Sequence, residues 1–261
     1  MAIITKSRTE REEMRAAGAL VAEILEVLRQ AARPGVTTAE LDALAARELA
    51  ARGATSNFKG YHGGLYFPGT LCASVNEEVV HGIPGPRVLK EGDLLSIDFG
   101  AIYHGWNGDS ATTVPIGKVS PEAERLLQVT QEALWQGIAQ ARAGNRVQDI
   151  GRAVHAYVQA AGFSVVRQFV GHGIGREMHE EPEVPNYVDA RQPNPILRPG
   201  MVLAIEPMVN AGRAETRILP DKWTVVTTDG SLSAHFEHTV AITDGEPDIL
   251  TLPRQAAKKA P

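Results

Sequence analysis

Two segments of this chain carry one pattern. Leu89–Asp98 reads LKEGDLLSID, and Leu197–Glu206 reads LRPGMVLAIE. Both fit L-x-x-G-x-[LV]-L-[SA]-I-[DE], a turn followed by an apolar strand that ends in a carboxylate. The residues upstream correspond as well. From about Arg8 to Ala32 the apolar positions Met14, Ala17, Val21, Ile24, Leu25 and Leu28 recur at helical spacing, and Pro34-Gly35 ends that helix. Thr37-Thr38-Ala39-Glu40 is a capping box that opens a second helix, which stops near Gly53. In the second half Ser120 caps a helix with Pro121 at its first position and Gly144 at its end. Another helix runs from about Val147 to Ala161 and stops at Gly162. A third echo sets His81-Gly82-Ile83 against His172-Gly173-Ile174. Three matches in one order argue for a duplicated unit. The expected architecture is α+β: one domain over 1–261, two pseudo-symmetric halves (about 8–118 and 119–252), and a polar tail over 253–261. A curved, mainly antiparallel sheet would carry its helices on one face, with matching strand ends at a shared centre.

The bulk numbers bound what the chain does. With 261 residues and 43% hydrophobic content it can bury a core of its own. The net charge is −5 with no basic block, so nucleic-acid binding has no electrostatic support. The single cysteine, Cys72, rules out an internal disulfide and fits a reducing compartment. The charged opening MAIITKSRTEREEMR lacks a signal-peptide core, and no apolar run reaches the ~18 residues of a membrane helix. A cytoplasmic protein is expected.

Four acids stand in apolar strands. Asp98 ends Leu94-Leu95-Ser96-Ile97, and Asp109 lies beyond a turn near Tyr103–Gly105. That turn would set the two roughly opposite each other on a hairpin, with Cβ atoms about 4.5–5.5 Å apart. Glu206 follows Val202-Leu203-Ala204-Ile205, and Glu237 precedes His238 and the strand Thr239-Val240-Ala241-Ile242. Any one such acid reads most simply as a turn or edge charge. Four of them in a duplicated unit, with no lysine or arginine in these strand segments, ask for a counter-charge, because burying an unpaired carboxylate is very costly. A divalent cation would supply it.

Of the eight histidines (His62, His81, His104, His155, His172, His179, His235, His238), His155 reads as a helix surface or packing residue and His104 as a turn residue. His172 and His179 differ. They lie in Gly171-His172-Gly173-Ile174-Gly175 and the following Met178-His179-Glu180-Glu181-Pro182, where glycines permit close approach of backbone to a ligand. Four carboxylates with at least one imidazole suit Mn, Fe(II), Co or Zn better than a thiolate-seeking metal. Bridging carboxylates suggest two ions about 3.5–4 Å apart.

These residues, with Ser74-Val75-Asn76-Glu77, Val80-His81-Gly82-Ile83-Pro84, Gly108-Asp109, Ile205-Glu206-Pro207 and Phe236-Glu237-His238-Thr239, resemble the type I methionine aminopeptidases from about Thr5 to Leu252. The resemblance implies the pita-bread (creatinase/aminopeptidase-like) fold. It also implies removal of the initiator methionine from nascent chains, preferably before a small second residue, by a hydroxide bridging two divalent ions. It assigns Asp98, Asp109, His172, Glu206 and Glu237 as metal ligands, with Asp109 and Glu237 shared. It makes Glu206 the proton carrier, has His179 and His81 touch the reacting peptide, and puts Tyr61, Cys72 and Trp223 at the methionine pocket. It further implies a monomer whose substrates are met at the ribosome, although no motif shows docking there.

Two features depart from relatives, and both touch the pocket. Met178 stands where an aromatic is common, and the stretch from His62 to Cys72 is longer than in enterobacterial relatives. The run from His179 to Glu206 leaves no room for the large insertion of type II enzymes, and no cysteine-rich N-terminal extension is seen. Two rivals remain. A proline-specific aminopeptidase or dipeptidase would usually carry a further N-terminal domain. A binding protein on the same fold would have lost ligands.

Overall fold

Capping fixes where the helices begin. In the computed structural model, which describes residues 2–61 and 65–253, α1 (Arg8–Ala31) starts at Ser7, whose Oγ accepts from the Glu10 amide while Glu10 accepts from the Ser7 amide. α2 (Thr38–Ala51) starts at the Thr37–Glu40 box read from the sequence. α3 (Pro121–Ile138) is capped by Ser120, and α4 (Val147–Ala160) follows it. α3 ends at Ile138 and not at Gly144; the chain leaves it through a further turn, and Gly144, at φ +93°, forms a later bend. Residues 62–64, which fall in the lengthened stretch, and the polar tail from 254 onward lie outside the described residues.

The strands of the first half are β1 (Thr55–Ser56), β2 (Cys72–Val75), β3 (Glu78–Val80), β4 (Leu94–Tyr103) and β5 (Trp106–Pro115). Those of the second half are β6 (Ser164–Val165), β7 (Gly171–Gly173), β8 (Glu180–Val184), β9 (Val202–Ile205) and β10 (Met208–Asn210). They are followed by β11 (Thr216–Ile218), β12 (Val225–Thr227), β13 (Ser233–His235), β14 (His238–Ala241) and β15 (Asp248–Ile249). Among the described residues every strand pairing is antiparallel, and the strands form four sheets. β4 runs between β5 and the pair β1, β2, while β9 runs between β7 and β14. The two segments that share a pattern are therefore both inner strands. β3 crosses to the second half, where Val80 faces Val225.

Two apolar cores lie under these ladders. Val21, Ile24 and Leu28 of α1 and Leu41 of α2 pack on Leu95, Ile97 and Phe99 of β4. Leu126 and Ala133 of α3 and Ile150 and Val154 of α4 pack on Leu203, Ile205 and Val209. A smaller cluster joins the halves, with Met14 and Ala17 of α1 against Trp106, Ile174, Val202 and Leu250.

α1 sits hard against that joint. A Cβ on Gly18 would fall 2.5 Å from the Leu250 carbonyl oxygen, and one on Gly108 would fall 2.9 Å from the Ala17 backbone. Glycine inside a helix normally loses about 1 kcal/mol to alanine. Here the alanine methyl has no room, and overpacking costs typically ~1–3 kcal/mol. Gly18→Ala is therefore expected to destabilise the chain by about 1–2 kcal/mol in urea unfolding, and a gain in stability would contradict this packing account.

Candidate metal centre

The β4–β5 hairpin turns at His104 and Gly105, both with positive φ (51° and 76°), which is the two-residue turn that matches strand twist. The register pairs Asp98 with Ala111 and Gly100 with Asp109. The two aspartates are thus diagonal and not directly opposed as the sequence suggested, because the turn centres one residue later than expected. The shift moves the partner by two positions, so both side chains stay on one face.

The other two acids reach this face across the joint between the halves. The Ser110 hydroxyl donates to the Glu237 carbonyl (2.6 Å), and the Glu237 amide donates to the Ala111 carbonyl (2.9 Å). The Thr239 hydroxyl donates to the Asp109 carbonyl (2.8 Å). The hydroxyl of Thr113 lies 2.8 Å from both the carbonyl oxygen and the amide nitrogen of His235. Glu206 follows β9 directly, and His172 pairs with Ala204 from β7. Asp109 and Glu237 are each 2% exposed.

One cavity of about 280 Å³ collects all ten residues named from the sequence: Asp98, Asp109, His172, Glu206, Glu237, His81, His179, Tyr61, Cys72 and Trp223. Asp109, His172 and Glu237 each offer a ligand atom within 4.8 Å of the others; Asp98 and Glu206 share the cavity outside that tight triad. Phe58, Phe67 and Met178 complete the lining, and among the described residues no lysine or arginine takes part. Oδ1 of Asp98, Oδ1 of Asp109 and Oε1 of Glu237 are buried and have no hydrogen-bond partner among the described residues.

Burial, and then the charges of neighbouring acids, pushes the carboxyls of Asp109 and Glu237 above their ordinary range; burial also raises Asp98, against the pull of the His235 ring and with a smaller push from Glu206, and burial alone raises Glu206. Without a counter-charge these groups resist ionisation. Oxygen-rich donors, orphaned buried oxygens and the absence of a lining cation together fit divalent metal ions. His172 fits too. Its Nδ1 meets the Gly173 carbonyl at 2.9 Å, so Nδ1 carries the proton and Nε2 presents a lone pair, 3.6 Å from Glu206 Oε1. Burial holds His172 at about 3 and His81 at about 4, so both stay neutral.

The loop bearing His179 is held from outside. The Arg176 guanidinium lies 3.7 Å over the Trp106 ring, and the Asn107 amide donates to the carbonyls of Gly175 and Arg176. Lys6 reaches in from the start of the chain to Glu180 at 2.6 Å, with side chains 2% and 5% exposed. The His179 ring stands 4.2 Å from that of His172, and its Nδ1 meets the Tyr61 hydroxyl at 2.7 Å. On the apolar side Trp223 meets Phe67 edge-on at 5.3 Å, and burial pushes the Cys72 thiol well up, keeping it protonated.

His155 lies on α4 and His104 in the hairpin turn, both away from the cavity. His238 points to the opposite face, its Nδ1 2.9 Å from the Thr251 hydroxyl. His235 was given no role from the sequence, yet it is buried beside Glu206, with Nε2 3.6 Å from Oε2. The signal was present: it stands two residues before Glu237, on the same side of an extended strand.

Comparison with known proteins places this arrangement. Residues 12–244 match the model of metallopeptidase family M24. The chain is 51% identical over 249 residues to methionine aminopeptidase 1 of Bacillus subtilis (95% of this chain, 99% of that one). It is 53% identical over 251 residues to a methionine aminopeptidase of Clostridium acetobutylicum (96% and 99%). The crystal structure of methionine aminopeptidase from Rickettsia prowazekii superposes with a TM-score of 0.92 at 39% identity, covering 96% of this chain and 100% of that one. The α+β pita-bread fold is thus shared along the whole length of such relatives. With its acids and imidazoles drawn from both halves into one buried cavity, and that match along nearly its full span, the chain belongs to metallopeptidase family M24.

Proposed function

We propose that this protein is a methionine aminopeptidase, which hydrolyses the first peptide bond of chains that begin with methionine. The observation that carries the reading is one cavity with two unlike walls: uncompensated buried carboxylates on one side, and Phe58, Phe67, Cys72, Met178 and Trp223 on the other. The two halves form a single catalytic domain. Asp98, Asp109, His172, Glu206 and Glu237 would hold two divalent ions drawn from Co, Mn, Fe(II) and Zn, with Asp109 and Glu237 shared between them. When bound, such ions lower the pKa of water towards neutrality and polarise a carbonyl.

The chain's own groups do the rest. Glu206 takes the proton of the attacking water and returns it to the leaving amine. With the Tyr61 hydroxyl donating to Nδ1 of His179, Nε2 of that ring carries the proton and is free to donate to the carbonyl oxygen as negative charge develops. Burial raises the Tyr61 pKa, which keeps its hydroxyl a donor. His81, set at φ 59° between Phe169 and Trp223, contacts the amide next to the leaving nitrogen. The sulfur and aromatic wall receives the methionine side chain. One methylene in such a pocket is worth ~1–3 kcal/mol, so norleucine is accepted as well. A small second residue suits the space beyond the scissile bond. The natural substrates are nascent chains met at the ribosome, in the cytoplasm, by a monomer.

His179→Ala is expected to keep its metal content and its fold while kcat on Met-Ala-Ser falls ~10²–10³-fold; unchanged turnover removes this role. Asp109→Asn is expected to lose both bound metal and activity, and elemental analysis that finds two ions per chain in the variant contradicts the shared-ligand assignment. Chelation should abolish methionine release from Met-Ala-Ser, and Co(II), Mn(II), Fe(II) or Zn(II) should restore it. Faster cleavage of an X-Pro peptide than of Met-Ala-Ser would transfer the chain to the proline-specific branch.

A further inference from the structure

His235 is 1% exposed, and neither of its ring nitrogens has a hydrogen-bond partner among the described residues. An imidazole carries at least one N–H in any protonation state, so a buried donor here is aimed at something. The backbone of His235 is fixed. β13 pairs His235 with Met208, and the Thr113 hydroxyl, itself 2.8 Å from Ser96, contacts both backbone polar groups of His235. Nε2 lies 3.6 Å from Glu206 Oε2, while His172 Nε2 lies 3.6 Å from Oε1. The carboxylate is thus flanked by two imidazoles, one for each oxygen.

We infer that His235 is a positioning residue whose Nε2–H is directed at Glu206 Oε2, 3.6 Å away, and so favours one orientation of that carboxylate toward the reacting groups. A glutamate carboxyl turns easily about its last bond, and a base that must collect a proton at one place and release it at another needs that rotation stopped. Outer partners of this kind orient ligating carboxylates, and their loss typically costs 10–100-fold in metal affinity or activity. His235 differs from His172 in its surroundings. It takes no part in the tight triad of Asp109, His172 and Glu237, and its backbone is tied to the hydroxyl chain of β4 and β5.

The inference rests on the reading of Glu206 as the proton carrier, and the test separates the two. His235→Leu and His235→Gln are made in the full chain and loaded with Co(II). Ion content, the visible absorption of the bound Co(II), and kcat and KM on Met-Ala-Ser are measured, with circular dichroism as a check on folding. His235→Leu should lower kcat ~10–100-fold with KM within about twofold. It should also alter the Co(II) spectrum while the ion content stays at the parent value. His235→Gln, whose amide N–H reaches the same place, should recover most of the loss. In a Glu206→Gln background His235→Leu should add little. A parent-level kcat in His235→Leu, no recovery in His235→Gln, or a full additive loss in the double variant each overturns the inference. Loss of an ion in both His235 variants overturns it in favour of direct ligation. A Glu206→Gln chain with parent kcat overturns the reading of Glu206 instead.

Discussion

The seam between β5 and the segment from His235 to Thr239 is held by side-chain hydroxyls, and the site depends on it. Ser110, Thr113 and Thr239 each reach across to a backbone group of the other half. Their partners are backbone groups of Glu237, His235 and Asp109, so the seam sets the spacing of the very residues that meet in the cavity. Hydroxyls suit this task. A backbone bond from the Glu237 amide to the Ala111 carbonyl joins them, and all of these bonds leave the acid side chains free to face inward. Burial of the seam keeps water from competing for the same carbonyls.

Given that seam, the two apolar cores become supports on either side of it. α1 and α2 brace β4, and α3 and α4 brace β9. Each helix pair carries one inner strand, with Asp98 in the middle of β4 and Glu206 just past the end of β9. The close passage of Gly18 and Gly108 lets α1 press on β5 without an intervening side chain. Packing therefore positions charge, and the charge is held where no protein cation neutralises it. Such a centre is an electrostatic liability in isolation and becomes favourable when cations are supplied from solution.

Much of this was legible in the sequence because caps and apolar runs are local, although the strand expected to end at Asp98 continues as β4 to Tyr103 and leaves that acid mid-strand. The shared pattern of Leu89–Asp98 and Leu197–Glu206 marks two inner strands, and Thr37 and Ser120 mark true helix starts. What escaped depends on a single residue of backbone choice or on three dimensions. A turn centred at His104-Gly105 and not one residue earlier makes Asp98 and Asp109 diagonal. α3 stops at Ile138, just past Gly137, and a further turn over 139–140 carries the chain on to the bend at Gly144. His235 sits in a string of polar and aromatic residues where only the alternation of the strand separates it from Phe236 and His238, which face a different cavity. The antiparallel architecture expected from the repeat is present, divided among the described residues into four sheets, one of which joins β3 of the first half to β12 of the second.

The ion pair of Lys6 and Glu180 ties the first few residues of the chain to the loop that presents His179. Lys6 is also anchored through its amide to the Gly200 carbonyl, just ahead of β9 and Glu206. The leading segment is thus a strap across the two loops that carry these side chains. Removing one partner of a buried pair typically costs ~3–5 kcal/mol of stability, and here the group left unpaired would adjoin the imidazole of His179. A lesion at the sixth position would therefore reach the His179 loop through this pair as well as lower the stability of the fold.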